Sequence, residues 1–130
     1  AILCAAVADY KPAFQMEEKI KRETSGNLSL QLTPNKDIAA SLGEIKKEGQ
    51  VLVGFALETN NEEAHAADKL KRKNFDFIVL NSLREQGAGF RYDTNKISII
   101  DKEGAVVHFP LKEKLQVASD IVDKLATLLL

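Results

Sequence analysis

The sequence predicts an α/β fold with a mainly parallel sheet, flanking helices and one antiparallel hairpin. Three observations carry this. The runs Ala1–Val7, Val51–Leu57 and Phe75–Leu80 are almost wholly apolar, the pattern of strands buried on both faces. Stretches of helical periodicity follow two of the strands expected here, and parallel neighbours need such crossovers. The chain has 130 residues, 45% of them hydrophobic. That is one domain, able to bury about two-thirds of its unfolded surface without staples.

The elements follow in order. Ala1–Val7 (AILCAAV) is the first buried strand, with Cys4 inside it. Residues 8–27 are polar, contain Pro12 and Gly26, and read as one long loop. Leu28, Leu30 and Leu32 alternate with Ser29, Gln31 and Thr33, which predicts a half-exposed strand ended by Pro34. Asn35 can cap a helix running to about Lys47, with Asp37 in its first turn and Ile38, Leu42 and Ile45 as its buried stripe. Gly49 ends it.

Val51–Leu57 is the second core strand. Thr59-Asn60-Asn61-Glu62 has capping-box spacing and predicts a helix from about Asn61 to Lys73, with Ala64, Ala67 and Leu70 inward. Phe75–Leu80 is the third core strand, closed by Asn81. A loop over 82–94 leads to Asn95–Ile100 and Ala105–Phe109, a hairpin around a turn containing Gly104. Lys112–Leu129 is a closing helix, with Leu115, Ala118, Ile121, Val122 and Leu125 on its inner side.

Composition excludes several classes. Eighteen Lys and Arg against 19 Asp and Glu leave a net charge of −1, unlike a non-specific nucleic-acid coat. One Cys excludes an internal disulfide and a multi-Cys zinc site. No apolar run approaches the ~18 residues of a membrane span. His65 and His108 are isolated in sequence, and neither a GxGxxG nor a P-loop pattern occurs. The abrupt apolar start, without Met or a basic leader, reads as a domain cut at a strand.

Ligands in open α/β sheets bind beyond the carboxyl ends of the strands. Asp9 and Tyr10 follow the first strand, Glu58 to Asn60 the second, and Asn81 the third. Asp9 suits a sugar hydroxyl, a metal ion or a loop cap. Ala5, Ala6 and Ala8 would admit a ligand to the backbone, or serve packing alone. Lys19, Lys21 and Arg22 place three cations within four residues, as a loop closing over a triphosphate or as a solvated charge run. Lys69 and Lys73, spaced i, i+4, repel each other unless an anion or the helix dipole compensates. The helix start at Asn35–Ile38 offers free N–H groups, as every helix does. Phe55 reads first as core.

Six ordered motifs go further. They are Ala5-Ala6-Val7-Ala8-Asp9-Tyr10-Lys11-Pro12, Glu18-Lys19-Ile20-Lys21, Asn35-Lys36-Asp37-Ile38, Gly54-Phe55-Ala56-Leu57-Glu58-Thr59, Lys69-Leu70-Lys71-Arg72-Lys73 and Asp76-Phe77-Ile78-Val79-Leu80-Asn81. The set resembles the phosphopantothenoylcysteine synthetase (phosphopantothenate–cysteine ligase) domain of coenzyme A biosynthesis. The likeness extends to Phe90, Asp93, Asn95 and Lys114. Lys36 stands where that family usually has Pro, and Leu57 where it usually has Ala.

The resemblance implies a Rossmann-like sheet and a cytoplasmic acid–amine ligase. Its substrates are CTP, 4′-phosphopantothenate and L-cysteine, and the reaction runs through an acyl-cytidylate with Mg²⁺ assisting. Lys19 matches the catalytic lysine of a mobile loop. Asp9 matches a nucleotide- or cation-binding acid. Leu3, Cys4 and Ala5 match a stretch whose backbone passes the nucleotide. Lys36, Asp37, Ile38 and Ala39 match the helix start that reads cytosine, and Phe55, Lys69 and Lys73 match further CTP contacts. The family is homodimeric, with the hairpin Asn95–Phe109 as the expected contact. Its domain begins before Ala1, so the whole chain, residues 1–130, corresponds to the C-terminal part of one ligase domain. Bacteria often fuse that domain behind a decarboxylase, which would carry FMN. No nucleic-acid or membrane partner is implied. The competing readings are a dinucleotide-binding oxidoreductase fragment and a non-catalytic α/β module.

Overall fold

A computed structural model describes residues 1–20, 28–58, 61–82 and 92–129. In chain order the elements are β1 (Ile2–Leu3), β2 (Tyr10–Pro12), β3 (Leu32–Pro34), α1 (Ile38–Ile45), β4 (Val53–Glu58), α2 (Glu62–Arg72), β5 (Phe77–Ser82), β6 (Thr94–Asn95), β7 (Ile97–Asp101), β8 (Val106–His108), β9 (Lys112–Glu113) and α3 (Lys114–Leu129). They form two units: Ala1–Cys4 with Ile38–Leu130, and Ala5–Asp37. Among the described residues no helix is long and apolar enough to cross a membrane.

The larger unit is built on a sheet ordered β1-β4-β5-β7-β8. β1, β4 and β5 run parallel, with Val53 opposite both Ile2 and Phe77. β7 and β8 add antiparallel, so the predicted α/β class and hairpin both hold. Strand alternation divides the core. Leu52, Ala56, Ile78, Leu80 and Ile100 pack against Ala66 and Leu70 of α2. Val53, Phe77, Val79, Ile97 and Ile99 pack against Val117 and Ile121 of α3. Burying each large side chain contributes about 1.5–3 kcal/mol, which is why the two all-apolar runs become the sheet centre.

Two glycines sit where elements meet. A side chain at Gly54 would overlap the buried ring of Phe75. One at Gly43 would overlap the carbonyl of Lys73, so α1 rests directly on the end of α2. Asn74, with φ of 53°, turns the chain there and its Nδ2 donates to the Gly43 carbonyl at 2.9 Å. Asp76 then closes the amino ends of β4 and β5. Its carboxylate accepts from Leu52 N–H at 2.7 Å and from Lys46 Nζ at 3.1 Å.

Several expectations need correction. The first apolar run pairs only over Ile2–Leu3, and Cys4 is exposed rather than buried. Ala5, Ala6 and Ala8 have little side-chain area to bury, and β1 has one sheet neighbour. In α1 the inward residues are Ala39, Leu42 and Gly43, whereas Ile38 and Ile45 are 53% and 70% exposed. In α2 Ala66 is buried instead of Ala64. In α3 Val117, Ile121 and Leu125 face the sheet, whereas Leu115 and Val122 are 79% and 54% exposed and Ala118 is exposed too. α3 carries two apolar stripes, and the sheet takes the one formed by Val117, Ile121 and Leu125. The first two residues expected in that helix form β9 instead, paired with β6.

The smaller unit is an antiparallel hairpin whose first strand, β2, lies inside the expected loop over residues 8–27 and whose second, β3, overlaps the end of the expected strand at Leu28–Thr33. Tyr10 pairs with Pro34 and Pro12 with Leu32. Pro34 therefore belongs to the strand, which a ladder's end position tolerates. Leu28 and Leu30 lie outside it and are exposed. α1 begins at Ile38, three residues after the expected cap Asn35. The Asn35 N–H donates to Asp9 O at 2.8 Å and its Nδ2 to Ala8 O at 2.7 Å, continuing the hairpin.

Candidate functional site

At the carboxyl end of β4 the alternation that buries Leu52 and Ala56 brings Glu58 to the same side of the sheet as α2. α2 starts at Asn61, in the left-handed region with φ of 45° and no side-chain cap; Thr59 and Asn60, the start of the expected capping box, lie outside the described residues. One turn apart on α2 are His65 and Lys69, and a further turn on is Lys73. Lys69 Nζ donates to Glu58 Oε1 at 3.2 Å, and His65 Nδ1 lies 3.5 Å from Glu58 Oε2. The Lys69 and Glu58 side chains are 29% and 21% exposed, so their attraction is only partly screened. Sequence reading names Glu58 only as a polar strand end. The strand's period of two puts Glu58 on the α2 face, but only the packing of α2 against β4 shows that Lys69 meets it.

The other sequence-predicted residues are distributed as follows. Leu3 is half-buried in β1 and packs on the α2 side of the core, followed by exposed Cys4. Ile38 and Ala39 open α1, and Lys73 is half-buried at the cap of α2. Phe55 packs on the α3 side with Val53, so the sheet lies between its ring and Lys69 of α2. In the smaller unit Ala5, Asp9, Lys19, Lys36 and Asp37 are all exposed, with Asp37 one residue ahead of α1. Lys21 and Arg22, the rest of the cationic loop, and Phe90 lie outside the described residues.

A second group was not foreseen. His108 of β8, isolated in sequence, has Nδ1 2.8 Å from Ser98 Oγ, and its Nε2 is 3.8 Å from Glu63 Oε1. They line an open cleft of about 470 Å³ with Asn61, Leu80 and Lys96; neither Lys69 nor Lys73 lines it. Cross-strand register brings Ser98 opposite both Leu80 and His108, and α2 adds Glu63. Beyond it, Asn95 Nδ2 donates to Asn81 Oδ1 at 2.8 Å, tying β6 to the end of β5.

No three His, Cys, Asp or Glu side chains cluster as a metal cage among the described residues. A hard cation such as Mg²⁺ typically needs only one or two carboxylates beside a ligand's phosphates, and exposed Asp9 fits that modest demand.

Comparison with known proteins places the whole chain. The chain is 56% identical over 128 residues to a cysteine/cysteine sulfinic acid decarboxylase from an unknown prokaryotic organism, covering 98% of this chain and 35% of that protein. It is 43% identical over 127 residues to the coenzyme A biosynthesis bifunctional protein CoaBC of Bacillus subtilis (strain 168), covering 98% of this chain and 31% of the relative. The chain thus spans about a third of the length of these curated relatives. The crystal structure of the C-terminal domain of CoaBC superposes with a TM-score of 0.75 at 35% identity, over 98% of this chain and 53% of that one. The family described as the DNA/pantothenate metabolism flavoprotein C-terminal domain matches residues 1–129, and the chain belongs to that family.

Proposed function

We propose that this chain is the nucleotide-binding part of a phosphopantothenate–cysteine ligase that uses CTP. The observation carrying the proposal is the half-buried Lys69, presented at the carboxyl end of a core parallel strand on a chain with 43% identity to a CoaBC protein. The relative named as a decarboxylase is nearly three times as long as the stretch matched, so its name does not assign that chemistry to this third.

In this reading the carboxylate of 4′-phosphopantothenate attacks the α-phosphate of CTP. Pyrophosphate leaves, and the mixed anhydride that forms is an acyl-cytidylate. The amine of L-cysteine then attacks the acyl carbon and CMP departs. Both steps concentrate negative charge on phosphate oxygens, so the protein's main task is to place cations there. Lys19 holds the triphosphate and the acyl-cytidylate. Lys69 and Lys73 offer ammonium donors to phosphate oxygens. Leu3, Cys4 and Ala5 line the nucleotide, and the resemblance also implies Phe55, whose ring packs on the opposite face of the sheet from Lys69. The backbone of Lys36, Asp37, Ile38 and Ala39 reads the cytosine edge at the start of α1. Asp9 holds Mg²⁺ or the nucleotide, the metal supplying further charge neutralisation. The enzyme is cytoplasmic and dimerises through the β7–β8 hairpin, whose edge exposes Val106 and Val107 at 36% and 51%. FMN belongs to a fused decarboxylase, where one is present.

Replacement of Lys19 tests the chemistry. In the full-length protein Lys19→Gln should lower CMP release from CTP, 4′-phosphopantothenate and cysteine by about a thousandfold or more. Undiminished turnover would sink the assignment. Calorimetric titration separates the competitors: NAD(P) binding without CTP binding favours an oxidoreductase fragment, and no nucleotide binding favours a non-catalytic module.

A further inference from the structure

We propose that Glu58 is the positioning residue of Lys69, holding its ammonium at the carboxyl end of β4 with donors left over for a phosphate. The inference rests on Lys69 contacting the nucleotide. A lysine side chain carries about 2 kcal/mol of rotamer entropy, and ordering it only when ligand arrives weakens binding. In this structure the ordering is already done. Glu58 Oε1 accepts from Lys69 Nζ at 3.2 Å. An ammonium has three N–H donors, so one bond to Glu58 leaves two for phosphate oxygens.

Two features make Glu58 an anchor rather than a competitor for the lysine. It is the last residue of β4, fixed by parallel pairing with Ser82, so its backbone cannot follow the lysine outward. Its second oxygen lies 3.5 Å from His65 Nδ1, one turn before Lys69 on α2. Lys69 and His65 therefore approach the two oxygens of one carboxylate, and that carboxylate is spanned along the helix. The i, i+4 repulsion between Lys69 and Lys73 is reduced by the same group.

The test is a double-mutant cycle on CTP affinity, measured by calorimetry on the full-length protein with Mg²⁺. Glu58→Ala should raise the CTP Kd about fivefold, and Glu58→Gln, whose amide oxygen can still accept from Lys69, should recover most of it. On a Lys69→Ala background, Glu58→Ala should add nothing. Thermal unfolding of each variant confirms that the fold is intact. Unchanged or tighter CTP binding in Glu58→Ala overturns the inference, since it makes Glu58 a mere opponent of the anion. So does a loss of the same size with and without Lys69. If Lys69→Ala itself leaves CTP affinity intact, the nucleotide role of Lys69 falls and this inference with it; the first two outcomes leave that role standing.

Discussion

Both ends of β4 carry a carboxylate paired with a lysine, and the two pairs differ in what they leave open. At the amino end Asp76 is 12% exposed and Lys46 15%. Asp76 also takes the Leu52 N–H, and Lys46 also donates to the Asn74 carbonyl at 2.7 Å. Donors and acceptors there are spent on the protein itself. At the carboxyl end Glu58 and Lys69 are more exposed, and the ammonium has one protein acceptor among the described contacts. The same chemical pair thus closes one end of the sheet and equips the other.

Substitutions can break or sharpen this contrast. The largest stability loss should come from Asp76→Ala, which strands Lys46 and a backbone N–H: about 3–5 kcal/mol, read from urea unfolding. A smaller loss in the same interior, about 1–3 kcal/mol, should follow Gly54→Ala, because Phe75 must move to admit the methyl group. Asp101 supplies a third carboxylate, at the far end of β7. Burial alone would raise its pKa. The Lys124 ammonium at 3.2 Å and the Ala105 N–H at 2.9 Å outweigh that and hold it below its ordinary value. A lowered folded pKa means stability that is present above the unfolded carboxylate value near 3.9 and lost as pH falls through the folded one. Asp101→Asn should therefore cost about 1 kcal/mol at pH 7, and the gap from the parent should close progressively below about pH 4. The smallest stability effect belongs to Lys69→Ala, within about 0.5 kcal/mol, whereas its CTP affinity should fall severalfold. A large stability loss there would erase the contrast between the two ends.

Much of the sheet was legible because β4 and β5 are apolar on both faces and so stand out as continuous runs in the sequence. Which stripe of α3 turns inward was not legible: Leu115, Ala118 and Val122 are as apolar as Val117, Ile121 and Leu125, and only the sheet's shape chooses between them. The β2–β3 pairing escapes the sequence because β2 is three residues long and ends in Pro12, so nothing marks it inside the expected loop, whereas the Leu28–Thr33 alternation marks β3 but places it several residues early. The pairings of Glu58 with Lys69 and of His108 with Ser98 depend on register and crossing, which local sequence does not encode. The lysines themselves were visible as a spacing, and their chemical reading came from the six motifs taken together.

The contact of Gly43 with the Lys73 carbonyl has a metric consequence. Five residues of α1 separate Ile38 from Gly43, a rise of about 7.5 Å. With a glycine pressed against a carbonyl at one end and a helix start at the other, that rise sets how far along α1 its first residue lies from the end of α2. If a nucleotide spans the opening of α1 and Lys73, as proposed above, a methyl group at position 43 would change the span it has to cover.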